Sequence, residues 1–358
     1  MMSFQLSGQA MSVELENTTT HHTIPIYQVN EILLGARQQG VDIRDILLRA
    51  DISPALLESP LSRVSQRQYA RLIRAMRFHM RDEFFGLCSQ PVRIGAFSHM
   101  CKNLVQCGSL GEAIREGFSF YHMMIDDFVA RLSVQKGVAR VRICHRGPPE
   151  TMGNYAERVF IFFAMGMASW LVARRLPLLN VYYLPSERDR DAYVKMLFQA
   201  PVLYEEGVLG FDFEARWLEL PVVQNAMSVR DFLHQAPASL LVKYRDQTSL
   251  TERIRRLLRR HLSGEMPTLE EVGSIFGITP QTLRRRLRNE GQTYQSLKDS
   301  LRCDAAIELL SQPELSLVDI AAMVGFSEPS TFHRAFKKWT GLPPGEYRSR
   351  RLREEEFF

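Results

Sequence analysis

The 358-residue chain has no long apolar run. Its most apolar stretch, Val159 to Val172, covers about fourteen residues and runs into Arg174 and Arg175, whereas a helix that crosses a bilayer needs roughly 20. A buried helix is expected there, and no membrane partner. Cysteine is scarce and odd in number: Cys88, Cys101, Cys107, Cys144 and Cys303 have neither a disulfide framework's even count nor metal-ligand spacing. Reduced thiols in a cytoplasm are expected; a redox sensor on Cys101 and Cys107 is the alternative. The pair His21-His22 has no third ligand nearby in sequence, so no metal is expected. G-x-S-x-G, H-E-x-x-H, Walker A and dinucleotide fingerprints are all missing, and neither catalytic residues nor a cofactor are expected. The start lacks a basic stretch followed by an apolar one, so no secretory signal is readable. Net charge is also small, at +5 from 45 basic and 40 acidic residues.

Where that charge sits is more informative than its size. Residues 241–358 hold 20 basic and 16 acidic side chains, the rest 25 and 24. Three of the 16 acids are the terminal Glu354, Glu355 and Glu356. The basic excess therefore belongs to the C-terminal third. With 45% apolar and 24% charged residues the composition is that of a globular protein, of two or three domains at this length.

Residues 1–23 are polar and aperiodic and read as a mobile tail. From Ile24 to about Gln90 the spacing is helical, with Ile32, Leu33, Leu34, then Ile43, Ile46, Leu47, then Tyr69, Leu72, Ile73, Met76. Ser109-Leu110-Gly111-Glu112 has capping-box spacing ahead of another helix. The period then changes to two: Phe128–Val134 and Val138–Ile143 alternate around Gln135-Lys136-Gly137, a hairpin signal. A long helix follows, about Tyr155 to Ala173. Asn180–Leu184 reads as a strand, Glu187–Leu197 as a helix, and Val202–Tyr204 and Gly210–Phe213 as short strands. The fold class expected for 24–235 is α+β, helices plus a small mixed sheet. A linker over 236–246, an all-α domain over 247–350 and a charged tail over 351–358 complete the chain.

The all-α domain contains an internal repeat. Leu269-Glu-Glu-Val272-Gly273-Ser-Ile275-Phe276-Gly277-Ile278-Thr279 matches Leu317-Val-Asp-Ile320-Ala321-Ala-Met323-Val324-Gly325-Phe326-Ser327 at an offset of 48. The offset grows to 49 at Leu283 with Phe332 and to 50 at Gly291 with Gly341. Each copy predicts a helix-turn-helix. Thr268 and Ser316 cap a first helix, and the small Gly273 or Ala321 lets a second helix approach steeply. Gly277 and Gly325 supply a turn with positive φ. Thr279 and Ser327 are expected to cap the second helix.

On the first of these second helices, Gln281, Arg284, Arg285 and Arg288 share one outward face, beside Thr282, while Leu283 and Leu287 point to a core. On the other, Ser330, His333, Arg334 and Lys337 repeat the spacing, with Phe332 and Phe336 inward. Such side chains hold the donors that read base edges and grip phosphates in a major groove; the bland alternative is two solvated helix faces. Between the copies, Tyr294 to Leu310 is helical, with Leu297, Leu301, Ala305 and Leu309 on one side. Its length, about 26 Å at 1.5 Å per residue, suits two readers about one DNA turn apart.

Residues 247 to 350 resemble the AraC/XylS family of bacterial transcription regulators. The resemblance is carried by Thr279-Pro-Gln-Thr-Leu283-Arg284-Arg285-Arg286-Leu287 with Glu290-Gly291, by Arg302-x-x-x-Ala306-x-x-Leu309-Leu310, and by Asp319-Ile320-Ala321-x-x-Val324-Gly325-Phe326-Ser327-x-x-Ser330-x-Phe332-x-Arg334-Ala335-Phe336-Lys337-Lys338. Gly341-Leu-Pro343-Pro344-x-x-Tyr347-Arg348 closes it. Two positions depart from the family pattern: Gly273 stands where Ala is usual, which is expected to loosen that helix, and Pro329 sits early in the second reading helix. The N-terminal part is similar to the branch with an arabinose-binding-type domain, through Ser109-Leu110-Gly111-Glu112-Ala113 and Phe211-Asp-Phe213-Glu-Ala-x-x-Leu218-x-Leu220-Pro221. That domain's name does not make the ligand a sugar.

The resemblance implies a cytoplasmic regulator bound to double-stranded promoter DNA at the nucleoid. It implies a small-molecule effector and, as further partners, RNA polymerase and a second copy of the chain through the N-terminal domain. A DNA-binder without sensing, or an enzyme tethered to a DNA-binding domain, are the alternatives. Arg253, Arg255, Arg256, Arg259 and Arg260 are candidates for phosphate contact or a solvated face. Tyr121, Phe163, Met165, Trp170 and Tyr182 are candidates for an effector cavity or plain core.

Overall fold

The computed structural model describes residues 23–147, 153–185, 191–235, 250–289 and 292–352. The linker expected over 236–246 and the tail beyond 352 lie outside the described residues, as does Glu290-Gly291. The chain enters through a two-residue strand, β1 (Ile24–Pro25), and three short helices, α1 (Ile26–Ile32), α2 (Leu34–Gln38) and α3 (Ile43–Arg49). Strand β2 (Arg63–Val64) pairs with β1, and α4 (Gln66–Met80) follows. A full capping box starts α4: Ser65 accepts from the Gln68 N–H and Gln68 returns the bond. Tyr69, Leu72, Ile73 and Met76, the apolar positions of the helical spacing, form its buried stripe.

Helices α5 (Ala96–Leu104) and α6 (Leu110–His122) lead into a five-stranded sheet. Ser109 caps α6 by accepting from the Glu112 N–H, while the Glu112 carboxylate accepts from the N–H of Gly108, one residue before the cap. Strands β3 (Phe128–Gln135) and β4 (Val138–His145) form the expected hairpin, with both turn residues, Lys136 and Gly137, at positive φ. Then come α7 (Tyr155–Leu171), β5 (Leu178–Tyr183), α8 (Asp191–Phe198), β6 (Val202–Tyr204), β7 (Gly210–Glu214) and α9 (Ala226–Gln235). The sheet order is β3-β4-β7-β5-β6. Only β5 and β6, joined through α8, run parallel, so the sheet is mixed. The apolar helix α7 packs inside this α+β unit, its Phe160, Ile161, Met165 and Leu171 buried in the same core as Val141, Phe211 and Phe213 of the sheet.

The C-terminal region consists of α10 (Leu250–Arg259), α11 (Leu269–Phe276), α12 (Pro280–Asn289), α13 (Tyr294–Leu309), α14 (Leu317–Met323), α15 (Pro329–Thr340) and α16 (Pro344–Leu352). Its two helix-turn-helix modules, α11–α12 and α14–α15, are joined by α13. The first has its own core, in which Leu297 and Leu301 of α13 meet Ile254, Val272, Leu283 and Leu287. The second does not. Phe332, Phe336, Ile320 and the C-terminal half of α13 (Cys303, Ala306, Ile307, Leu309) lie in one continuous core with Ile26, Ile32, Ile46, Leu72 and Ile73 of the N-terminal helices.

Polar bonds stitch that seam. Thr23, expected as the last residue of a mobile tail, is 4% exposed and held: its N–H (3.0 Å) and hydroxyl (2.5 Å) both donate to Asp304 of α13. Arg63 reaches the Thr23 hydroxyl and carbonyl, and the Tyr347 hydroxyl of α16 donates to the Arg63 carbonyl. Thr23 is therefore anchored rather than mobile, because Asp304 is buried and draws these donors in, while residues 1–22 lie outside the described residues. Since Phe336 is fully buried in the shared core, Phe336→Ala should cost about 3–5 kcal/mol in urea unfolding. Hydrogen exchange should then rise in α4 as well as α15; an effect confined to α14–α16 would show the two cores to be separate.

Candidate nucleic-acid interface

Each module is built as the repeat predicts, with one difference. Capping boxes start both first helices: Thr268 with Glu271 and Ser316 with Asp319. The turns run through Gly277 (φ 66°) and Gly325 (φ 78°). At Gly325 a Cβ would also collide with the Leu262 carbonyl oxygen, at 2.6 Å. Thr279 caps α12 as expected, accepting from the Thr282 N–H at 3.3 Å. Ser327 does not cap α15. The N-cap is Glu328, in extended conformation (φ −121°, ψ 126°) before Pro329, and its side chain makes no capping bond. A residue preceding proline is driven out of the helical region, so the second helix starts one position later, which is the step from 48 to 49 in the repeat.

Gly273 permits the close approach expected of it: a Cβ there would stand 2.7 Å from the Ile278 carbonyl oxygen, and the Ile278 N–H donates to the Gly273 carbonyl at 2.9 Å.

The two second helices turn their apolar sides inward and their donors outward. Leu283, Leu287, Phe332 and Phe336 are buried. Gln281, Arg284, Arg285 and Arg288 on α12, and Ser330, His333, Arg334 and Lys337 on α15, are all exposed. Thr282 differs. It is half-buried, and its hydroxyl lies 2.9 Å from that of Thr279, which ties it to the cap. Arg284 stands 3.7 Å from Glu270 with both side chains well exposed, an ion pair weak enough to be given up to a phosphate. Docking the second module onto the N-terminal helices leaves its outward face open.

The dense arginines of α10 separate by burial. Arg255 is 2% exposed and faces Asp304, Glu252 and Ser300 inside the protein. It joins α10 to α13 and cannot touch DNA. Arg253 lies over the Phe276 ring, and Arg253, Arg256 and Arg260 are exposed. Two further basic positions that carry the resemblance are structural: Arg302 donates to the Gly325 carbonyl and stacks on Phe326, and Arg348 donates to the Leu315 carbonyl.

A second feature lies in the α+β unit. A cavity of about 100 Å³ opens between α4, α5, α6 and α7. Tyr121 and Phe163 line it, as the sequence suggested. Met165 and Trp170 are core instead, Trp170 stacking on Phe232 at 4.2 Å. Tyr182 is elsewhere, donating to Asp212 beneath the Arg142 guanidinium. Arg77 and Glu83 also line the cavity; sequence spacing missed both, because Arg77 directly follows the buried stripe of α4. The cysteines form no disulfide among the described residues, and burial pushes the Cys101 thiol well above its usual range, away from the reactive thiolate.

Residues 40–222, just over half of the chain, match the family model of the arabinose-binding N-terminal domain of AraC transcription regulators. The chain belongs to the AraC family. Residues 272–350 match a helix-turn-helix domain model. The regulator is 26% identical over 333 residues to the ornithine utilization regulator of Pseudomonas aeruginosa, covering 92% of this chain and 97% of that one. It is 36% identical over 101 residues to the regulator VirS of Mycobacterium tuberculosis, covering 28% of this chain and 30% of that one. Among solved structures it is similar to the regulator CdpR of Pseudomonas aeruginosa, at 20% identity, 90% and 98% coverage and a TM-score of 0.28. The protein is thus an AraC-type DNA-binding transcriptional regulator with an arabinose-binding-type effector domain. No helix among the described residues is long and apolar enough to cross a membrane.

The regulator's Gly273 offers a direct check. Ala is the better helix former by about 1 kcal/mol, yet Gly273→Ala should destabilise the first module by about 1–3 kcal/mol, because the clash is with backbone. Thermal unfolding of the full chain reads this; a stabilised variant would contradict the packing described.

Proposed function

We propose that the regulator reads two adjacent major-groove segments of promoter DNA, one with α12 and one with α15, under the control of a small molecule bound in the N-terminal domain. The observation that carries the reading is the exposed, repeated face: Gln281, Arg284, Arg285 and Arg288 on one helix, Ser330, His333, Arg334 and Lys337 on the other. Arg285 and Arg334 read base edges, where a bidentate guanidinium fits guanine O6 and N7. Gln281, Arg284 and His333 stand beside them, and Arg288 and Lys337, a turn further along, hold phosphates. Thr282 supports the approach through the cap.

In this reading 24–235 is the sensing and self-associating domain, 236–246 the linker and 247–350 the DNA-binding domain. The N-terminal domain senses rather than catalyses, as the relatives' descriptions as regulators support. RNA polymerase and a second copy of the chain are its macromolecular partners, and the cytoplasm, where the DNA lies, its place of action.

Binding to sites selected from random DNA tests the assignment. Arg285→Ala and Arg334→Ala should each lose about 1–3 kcal/mol of discrimination at one base position. Arg288→Ala and Lys337→Ala should weaken binding evenly across sequences and flatten the logarithmic salt dependence by about 0.9 each. If both guanidinium variants kept affinity and sequence preference, these faces would not be the readers.

A further inference from the structure

The cavity of the effector domain has a chemistry of its own. Its wall is almost wholly apolar, with Phe84, Phe97, Phe118, Phe160 and Phe163 among the rings that face it. Only two of its lining side chains are charged, Arg77 and Glu83, and two carry hydroxyls, Tyr121 and Tyr155. The Tyr155 hydroxyl is engaged with that of Tyr69 at 2.7 Å.

The charged pair is asymmetric. Glu83 is satisfied three times over: it accepts from Arg77 at 3.0 Å, and from the N–H groups of Gly95 (2.9 Å) and Phe97 (2.7 Å) at the start of α5. Those N–H groups and the positive end of α5 compensate the carboxylate independently of Arg77. Arg77 makes one hydrogen bond among the described residues, through one nitrogen, and keeps further donors. The Tyr121 hydroxyl on the same wall stays protonated, since burial and then the charge of Glu83 push it well above its usual range, so it too can donate.

This arrangement disfavours a polyhydroxylated ligand. A sugar would bring a hydroxyl to almost every wall, and rings and aliphatic chains would leave most of them without partners. An apolar body with a single acceptor group meets the opposite situation, burying its carbon against the rings and its charge against Arg77. The space, about 100 Å³, has room for a compact apolar body such as one ring or a short acyl chain.

We propose that this cavity is the effector site and that it takes a compact apolar carboxylate rather than a sugar. The proposal rests on the reading of residues 40–222 as an effector domain. Arg77 is the specificity-determining residue and the ring-lined space supplies the affinity.

Isothermal titration of the full chain with 3-phenylpropionate, hexanoate, 3-phenylpropanol, L-arabinose and L-ornithine tests it. The two carboxylates should bind the unaltered protein. Arg77→Gln should weaken them about tenfold or more and leave 3-phenylpropanol nearly unchanged, and Arg77→Lys should restore most of the loss. Ala164→Leu, which fills the space, should weaken carboxylate and alcohol together. Cooperative melting and retained DNA binding show that each variant is folded. Arabinose or ornithine binding that Ala164→Leu abolishes would overturn the ligand chemistry while leaving the effector-domain reading intact. No heat from either carboxylate would overturn the assignment of this cavity; whether arabinose or ornithine titrates the same protein then decides the effector-domain reading separately.

Discussion

Helix α13 is buried at both ends in different cores, and the placement of α12 and α15 follows from that. Leu297 and Leu301 belong to the first module. Cys303, Ala306, Ile307 and Leu309 belong to the second module and, through it, to the N-terminal helices. Sixteen helical residues span about 24 Å, so the separation of the two modules is that of a rod, not of a flexible tether. Asp304 lies between the two cores, receiving Thr23 from one side and facing Arg255 from the other. A buried carboxylate with partners on two other segments fixes register, because any sliding of α13 would leave charge uncompensated.

The same core joins the effector domain to the second module. Tyr155, at the start of α7, lines the cavity and also belongs to the core that holds Phe332 and Phe336. Its hydroxyl bonds Tyr69 on α4, which lies in the same core. The outward faces of α12 and α15 are open with the second module docked in this way.

Much of this was legible in the sequence for local reasons. The two modules announce themselves because cap, small residue, glycine turn and outward donors recur within about 20 residues, and each is dictated by short-range geometry. The hairpin at Gln135-Lys136-Gly137 was equally local. What stayed hidden was long-range. Thr23 and Asp304 are 281 residues apart, and no periodicity marks a tail residue as buried. Arg255 sits in a run of five similar arginines, and only tertiary packing singles it out as internal. Arg302 and Arg348 donate to the Gly325 and Leu315 carbonyls, contacts that a string of residues does not display. Ser327 lost its expected capping role to the constraint that Pro329 places on Glu328.

The central claim is that two readers are held at a fixed distance by α13. Selection of bound sites from random duplex DNA by the full chain measures it most directly. The account predicts a two-part site whose halves are about 10 base pairs apart, centre to centre, with affinity collapsing when about half a turn is inserted between them. A single short motif, or two halves that tolerate any spacing, would contradict it.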